Sequence, residues 1–437
     1  MPSTCLLSLS ALAAIIGIAV YLPLQRTEKL LQGPAVIENF GLEKCQRIAG
    51  PAYCEDVKIQ RNLGLGFVAC DPSMPFRNYA ASVVDQSKMT EDGGIWVYDM
   101  NKPGSEATKL ELRNFEGPFH PSGLTFAPVP AEDTPARVVV LAINHVPFEQ
   151  PRVEVFHYSP ARKTMTHKKT IHSKAFVTAN KITASHDEYS HQIDDTPSFF
   201  VTNDHGFNIT NWKREYEEKY NLPASTLAYY NARANEAVEV GWRFQLPNAI
   251  VPASDEGTFW IAAGKSGTIE RYRNHLISEE HQAQQVIAID TKTPLSIKWP
   301  GMLNDEIIQT NLINIGVDYD PLSDNLVSVA HSRWNDYVQH AKDRHDHPDK
   351  KPSVHSGFIV TKAVKYPVRI GTARAQPEKD VVYNPDEMPR KYRLKYFFEP
   401  QISHEGDQFG AVSAIAVMGD RVLLTGQYDE GILDCQL

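Results

Sequence analysis

Short apolar runs recur along most of the chain, each bounded by clusters of Pro, Gly, Asn and Asp. Early members are Gly94-Ile95-Trp96-Val97-Tyr98, Val138-Val139-Val140-Leu141, Val153-Glu154-Val155-Phe156-His157-Tyr158 and Ser198-Phe199-Phe200-Val201. Later ones are Thr226 to Tyr230, Thr258 to Ala262, Val286 to Ile289, Leu326 to Val329 and Val422 to Leu424. β-Branched and aromatic residues in runs of this length, closed by turn formers, read as strands. Long helical periods are scarce. Two inserts interrupt the rhythm: 211–220 reads as helical and charged, while 335–352 is polar and carries His340, His345 and His347. That trio has the residue type for a transition metal, but its setting reads as a solvated loop. Leu30 to Leu42 reads as a short amphipathic helix or linker.

The N-terminus differs from everything after it. No charged residue occurs from Cys5 to Leu24, and Leu6 to Val20 is apolar apart from two serines and a glycine, close to the ~20 residues that cross a bilayer. No Lys or Arg precedes this run and no small-x-small site precedes Tyr21, so an uncleaved signal anchor is favoured over a removed signal peptide. The expected organisation is a leader at 1–26, a linker at 27–44 and one β domain at 45–437. Arg26 and Lys29 weakly favour a cytoplasmic body. The sequon Asn208-Ile209-Thr210 and the cysteine layout favour the lumenal or extracellular side, and with it the secretory pathway, with membrane contact through the leader.

Cys5 lies in the leader, leaving Cys45, Cys54, Cys70 and Cys435. Cys45 opens the globular part and Cys435 stands two residues from its end, as expected of a chain whose first and last strands are joined. Cys54 and Cys70 lie on the two arms of the opening hairpin. The expected bridges are Cys45 with Cys435 and Cys54 with Cys70, among the three connectivities that four cysteines allow. Many short strands and termini that meet predict an all-β propeller over a sandwich or open sheet. Exact repeats are absent, so spacing does not give the blade number.

Charge and motifs narrow the function. A net charge of -9 with a pI near 6.0 opposes nucleic-acid binding, which needs clustered Lys and Arg; the basic run Arg162 to Lys174 reads as a solvated strand face. Ala263-Gly264-Lys265-Ser266-Gly267 ends like a phosphate-binding loop, yet Phe259 stands where its first glycine belongs, and no G-x-S-x-G elbow occurs. What remains is a set of polar residues at the ends of apolar runs: Glu55-Asp56, Asn144-His145, Asn180, Asn203-Asp204-His205, Asn248 and His331. Strand ends that converge on a propeller axis would bring amide oxygens and carboxylates together as a calcium cage, with histidines as general bases. Strand alternation sends Glu55 and Asp56 to opposite faces, hence to two neighbouring sites.

Three segments carry a resemblance: Cys54-Glu55-Asp56-Val57, Thr202-Asn203-Asp204-His205, and the ending from Val412-Ser413-Ala414-Ile415 through Leu423-Leu424-Thr425-Gly426 to Cys435-Gln436-Leu437. From about Cys45 to Leu437, with inserts near 207–222 and 332–400, the chain resembles the paraoxonase/arylesterase family of calcium-dependent lactonases and esterases. These are six-bladed propellers related to strictosidine-synthase-like proteins. The resemblance implies a catalytic Ca²⁺ on Glu55, Asn180, Asn248 and Asn314, and a structural Ca²⁺ on Asp56 and the carbonyl of Leu124. It places His145, His205 and His331 near the active site, His145 in the base dyad. Three positions depart from the family pattern. Ser122, in Phe119-His120-Pro121-Ser122-Gly123, stands in place of the principal catalytic histidine; Ile313 stands where an acidic calcium ligand is expected; Lys181 replaces an acid of the structural site. A lysine there is expected to pair with Asp56 and take over the cross-link of the second ion. The implied activity is calcium-dependent hydrolysis of lactones or aryl esters. The alternative is a catalytically silent or divergent propeller that binds a ligand or a protein partner.

Overall fold

The computed structural model describes Gln25 and residues 27–128, 137–185, 196–232, 234–253, 257–273, 303–369 and 392–437. Among the described residues, six sheets of four or five strands are arranged as blades around one axis. Blade 1 begins with Cys54–Gln60, blade 2 with Pro121–Phe126, blade 3 with Ala179–Ala184, blade 4 with Pro247–Pro252, blade 5 with Ile313–Asp320 and blade 6 with Val412–Met418. Each of these first strands packs against the first strand of the next blade, and that of blade 6 returns to that of blade 1, so the ring closes.

Burial explains why the apolar runs were legible. Each pair of neighbouring blades encloses its own core: Leu141, Val155, Phe199 and Val201 between blades 2 and 3, Val329, Val360, Ile415 and Leu424 between blades 5 and 6, and Val57, Val68, Ala416 and Leu423 across the closure. A blade is therefore apolar on both faces and its strands read as continuous runs rather than as an alternation. Closure is made by the N-terminal strand Cys45–Ala52, which pairs antiparallel with Glu430–Gln436 as the outermost strand of blade 6. Cys45 stands opposite Cys435 and Cys54 opposite Cys70, and both pairs are disulfide-bonded as expected from their placement.

The charged insert contains the helix Lys213–Tyr220, as its composition suggests. The polar insert differs from expectation: it is not a solvated loop but the helix Trp334–Asp346. Its buried Trp334, Tyr337 and Ala341, with Val338 beside them, form a helical stripe against Met74, Ala80 and Ala81. Its histidines go three ways: His340 bonds the Val354 carbonyl through Nδ1, His345 meets Asp346 and the edge of Phe76, and His347 is exposed at the helix end. Within the linker, residues 27–32 are helical, and Phe40 makes an isolated bridge to Ser403. The proposed leader apart from Gln25, the strand Val286 to Ile289 and residues 370–391 of the insert near 332–400 lie outside the described residues. Among the described residues no helix is long and apolar enough to cross a membrane.

Candidate active site

All six first strands share one irregularity at their N-terminal ends, where the pairing slips by one residue. The slip falls between Cys54 and Asp56, between Ala179 and Lys181, between Pro247 and Ala249, between Asn314 and Gly316 and between Val412 and Ala414. In blade 2 it falls in the stretch Pro121 to Leu124. The residues left over are Glu55, Asn180, Asn248, Ile315, Ser413 and the Ser122-Gly123 step. A bulge bends its strand and re-aims the extra side chain; in blades 1, 2 and 3 the side chains so placed, Glu55, Ser122 and Asn180, line one cavity, while Ile315 stays in the core between blades 5 and 6.

Glu55 and Asp56 stand at two neighbouring positions linked by one side chain. With the bulge between them, both carboxylates approach one ammonium: Lys181 Nζ lies 3.7 Å from Glu55 Oε1 and 3.5 Å from Asp56 Oδ1, and donates to the Glu55 carbonyl at 2.5 Å. Lys181 is only 2% exposed. The other Asp56 oxygen accepts from the Leu124 N–H at 2.8 Å. Asp56 is thus satisfied by protein groups on both sides, and Leu124 meets it through its N–H.

Beside this pair lies an axial cavity of about 20 Å³, room for one water molecule or one small ion. Glu55, Ser122, His145, Asn180 and Asp204 line it from the blades. Arg77, Asn78 and Tyr79 close it from the segment that crosses between the second and third strands of blade 1. Glu55 Oε2 accepts from Gln427 Nε2 at 2.6 Å, and Asn180 Nδ2 donates to Asn248 Oδ1. His145 Nε2 is 3.1 Å from Ser122 Oγ, and Tyr79 stacks on the imidazole at 4.8 Å between centroids. Burial, helped by Arg77, pushes the His145 pKa down to about 3, so the ring is neutral near pH 7.

The remaining histidines stand behind this lining. His120 Nδ1 contacts both Asp71 oxygens at 3.2 Å, and Arg77 reaches the same carboxylate at 2.6 Å. His205 is held between Asp204, 3.0 Å from Nδ1, and Glu218, a partner of Nε2. Burial opposes the charge of Glu218, but Lys265, 2.6 Å away, and His205 hold its pKa well below the usual range. His331 stacks on Tyr337 at 4.0 Å, away from the cavity lining, with its pKa lowered to about 3 by burial. Of the three histidines singled out in the sequence, His145 lines the cavity. Asn314 Nδ2 donates to Thr310 Oγ1 and Oδ1 accepts from Ser328 Oγ at 3.0 Å, both near its own blade. Ile313 is buried with Leu246, Trp334 and Tyr337 in an apolar cluster above the ring.

The Arylesterase family model matches residues 84–297. The chain is 28% identical over 289 residues to human serum paraoxonase/arylesterase 2, covering 63% of this chain and 73% of the relative. It is 28% identical to mouse serum paraoxonase/arylesterase 1, over 54% of this chain and 60% of that one, and 27% identical to rabbit serum paraoxonase/lactonase 3, over 51% and 56%. The chain is thus similar to the paraoxonase/arylesterase family over about half of its length or more. The departures from that family's pattern now have locations: Lys181 bridges Glu55 and Asp56, Ile313 sits in the cluster with Trp334 and Tyr337, and Ser122 faces His145.

Whether the residues fit calcium differs between the two positions. Glu55 supplies a carboxylate, and Asn180 and Asn248 supply amide oxygens, all at bulges and all 6% exposed; such hard oxygen donors suit calcium. Asn314 Oδ1 keeps one lone pair beyond its Ser328 bond. Among the described residues no three His, Cys, Asp or Glu side chains gather as a metal-binding group, so a cation here would lean on amides. The Asp56 position does not fit a second cation, because Lys181 already brings a positive charge to it. Sequence reasoning missed Arg77, Asn78, Tyr79 and Gln427. The first three lie on an irregular segment with no periodicity, and Gln427 directly follows the matched Leu423-Leu424-Thr425-Gly426 run.

Proposed function

We propose that this chain is a calcium-dependent hydrolase of aryl esters or lactones, acting at the axial cavity. The observation that carries the reading is the coincidence of the bulges with Glu55, Ser122, Asn180 and Asn248, which puts Glu55, Asn180 and a Ser–His pair around one small space, with Asn248 bonded to Asn180 beside it. The relatives' names, arylesterase and lactonase, supply the substrate class. Calcium held by Glu55, Asn180 and Asn248, with Asn314 as a further amide, would supply Lewis-acid polarisation of the substrate carbonyl. His145, neutral and inside the cavity, takes the proton of the attacking group. His205 and His331 act by position: the first ties Asp204 to Glu218, the second supports the roof through Tyr337.

Turnover of phenyl acetate and of γ- and δ-lactones, measured before and after EDTA treatment and with calcium restored, tests the proposal. Metal-dependent hydrolysis of at least one substrate class is expected. No turnover on any of them would favour the alternative, a divergent propeller that binds a ligand or partner, for which the single carboxylate on the cation position argues. The two disulfides accord with folding in the secretory pathway. Asn208 is exposed, as a glycan acceptor there requires, and an anchor at 1–26 would hold the propeller to a membrane on the lumenal or extracellular side.

A further inference from the structure

We propose that Ser122 is a nucleophile with His145 as its general base, so that ester cleavage in this chain passes through an acyl-serine. The proposal deepens the hydrolase reading and rests on it. Ser122 Oγ and His145 Nε2 are 3.1 Å apart, within the reach that such a pair requires. Both are buried, at 1% and 5% exposure, and both line the axial cavity. The pair is also held in place. Ser122 lies in the bulged stretch Pro121 to Leu124 of blade 2, and His145 follows the strand paired with it. Two bonds clamp the backbone around them: His145 N–H donates to the His120 carbonyl at 3.1 Å, and His120 N–H donates to Asn144 Oδ1 at 2.9 Å. Tyr79 covers one face of the imidazole.

A hydroxyl is not a base near neutral pH, so the Ser122–His145 pair does not act as two proton acceptors. It does have the composition of an activated nucleophile. Ser122 Oγ adds to the acyl carbon while its proton passes to His145 Nε2. The tetrahedral adduct collapses with cleavage of the acyl C–O bond, and Nε2 returns the proton to the leaving oxygen, which departs as a phenol or alcohol or remains tethered when the substrate is a lactone. Water then adds to the acyl carbon through the same base, and Ser122 leaves with the proton to give the free acid. A cavity of about 20 Å³ does not hold an ester as it stands. Tyr79, partly buried over His145, is the group that must swing aside.

The test combines p-nitrophenyl acetate turnover with labelling by a small alkyl fluorophosphonate, followed by peptide mass analysis of the full-length protein. Expected are ester turnover and one phosphonyl group on the peptide carrying Ser122, with Ser122→Ala losing both while keeping the wild-type melting temperature. His145→Gln should slow labelling by roughly 10²- to 10⁴-fold, and Ser122→Cys should keep the fold and take iodoacetamide in place of the phosphonate. Turnover without a Ser122 adduct, retained by Ser122→Ala, would overturn the nucleophile and leave the esterase reading intact. An adduct on Ser122 without turnover of any ester would support the nucleophile and remove the esterase reading. Neither turnover nor adduct would overturn both.

Discussion

Lys181 Nζ lies 3.5 Å from Asp56 Oδ1 in the interior of the ring, with both side chains almost wholly buried. The lysine also meets the Glu55 carboxylate and carbonyl, so one side chain of blade 3 ties together the start of blade 1. This is the pairing expected once a lysine stands where the family pattern has an acid. Two charges in a dry interior are tolerable only when paired.

Lys181→Met should therefore destabilise the protein by ~3 to 5 kcal/mol, because it leaves Asp56 buried with only the Leu124 N–H as partner. Urea unfolding at neutral pH checks this. A loss below about 0.5 kcal/mol, as for a surface change, would contradict it.

Acid should weaken the fold through its buried histidines. His331 has its pKa lowered from the ordinary 6.5 to about 3, so the folded state holds it neutral while the unfolded chain protonates it. Its stabilising contribution is complete above pH ~6.5 and is lost as pH falls toward 3. His340, lowered to about 4, acts in the same direction. Stability measured from pH 7 down to pH 4 should fall by several kcal/mol. His331→Phe, which keeps a ring against Tyr337, should flatten that fall. An unchanged slope in the variant would exclude His331 as a source.

Joining the outermost strand of blade 6 to its neighbour should matter more than a single bond suggests. The Cys45–Cys435 bridge closes a separation of 390 residues, for which the loop-entropy account gives about 6 kcal/mol. Cys45→Ser with Cys435→Ser should lower stability by several kcal/mol, and non-reducing peptide mapping of the parent should return the two cysteines on one peptide pair.

The blades were legible in the sequence because both faces of each are buried, which turns every strand into an apolar run bounded by turn formers. Closure was legible because Cys45 and Cys435 stand at the two ends of it. Two things were not. The helix Trp334–Asp346 hides its apolar stripe, Trp334, Tyr337, Val338 and Ala341, among charged residues and histidines. The bulges leave no mark on composition, yet they decide where the site residues point: alternation placed Glu55 and Asp56 apart, and the bulge brings both to Lys181. Arg77 to Tyr79, which close the cavity, lie on a segment shaped by tertiary contacts such as Asn78 to Tyr337 and Tyr428 rather than by local pattern.

The role of Glu55 in holding a catalytic cation is decided by Glu55→Gln, through calcium titration by calorimetry alongside phenyl acetate hydrolysis. Glu55 lines the cavity beside Asn180, while Asp204, the other carboxylate there, is tied to His205, and Lys181 occupies the second position. The wild-type chain is thus predicted to bind one calcium ion and to hydrolyse the ester only when loaded. The variant is predicted to keep the circular dichroism of the fold, bind no calcium and show no hydrolysis. Full, chelator-sensitive hydrolysis by Glu55→Gln would contradict the account.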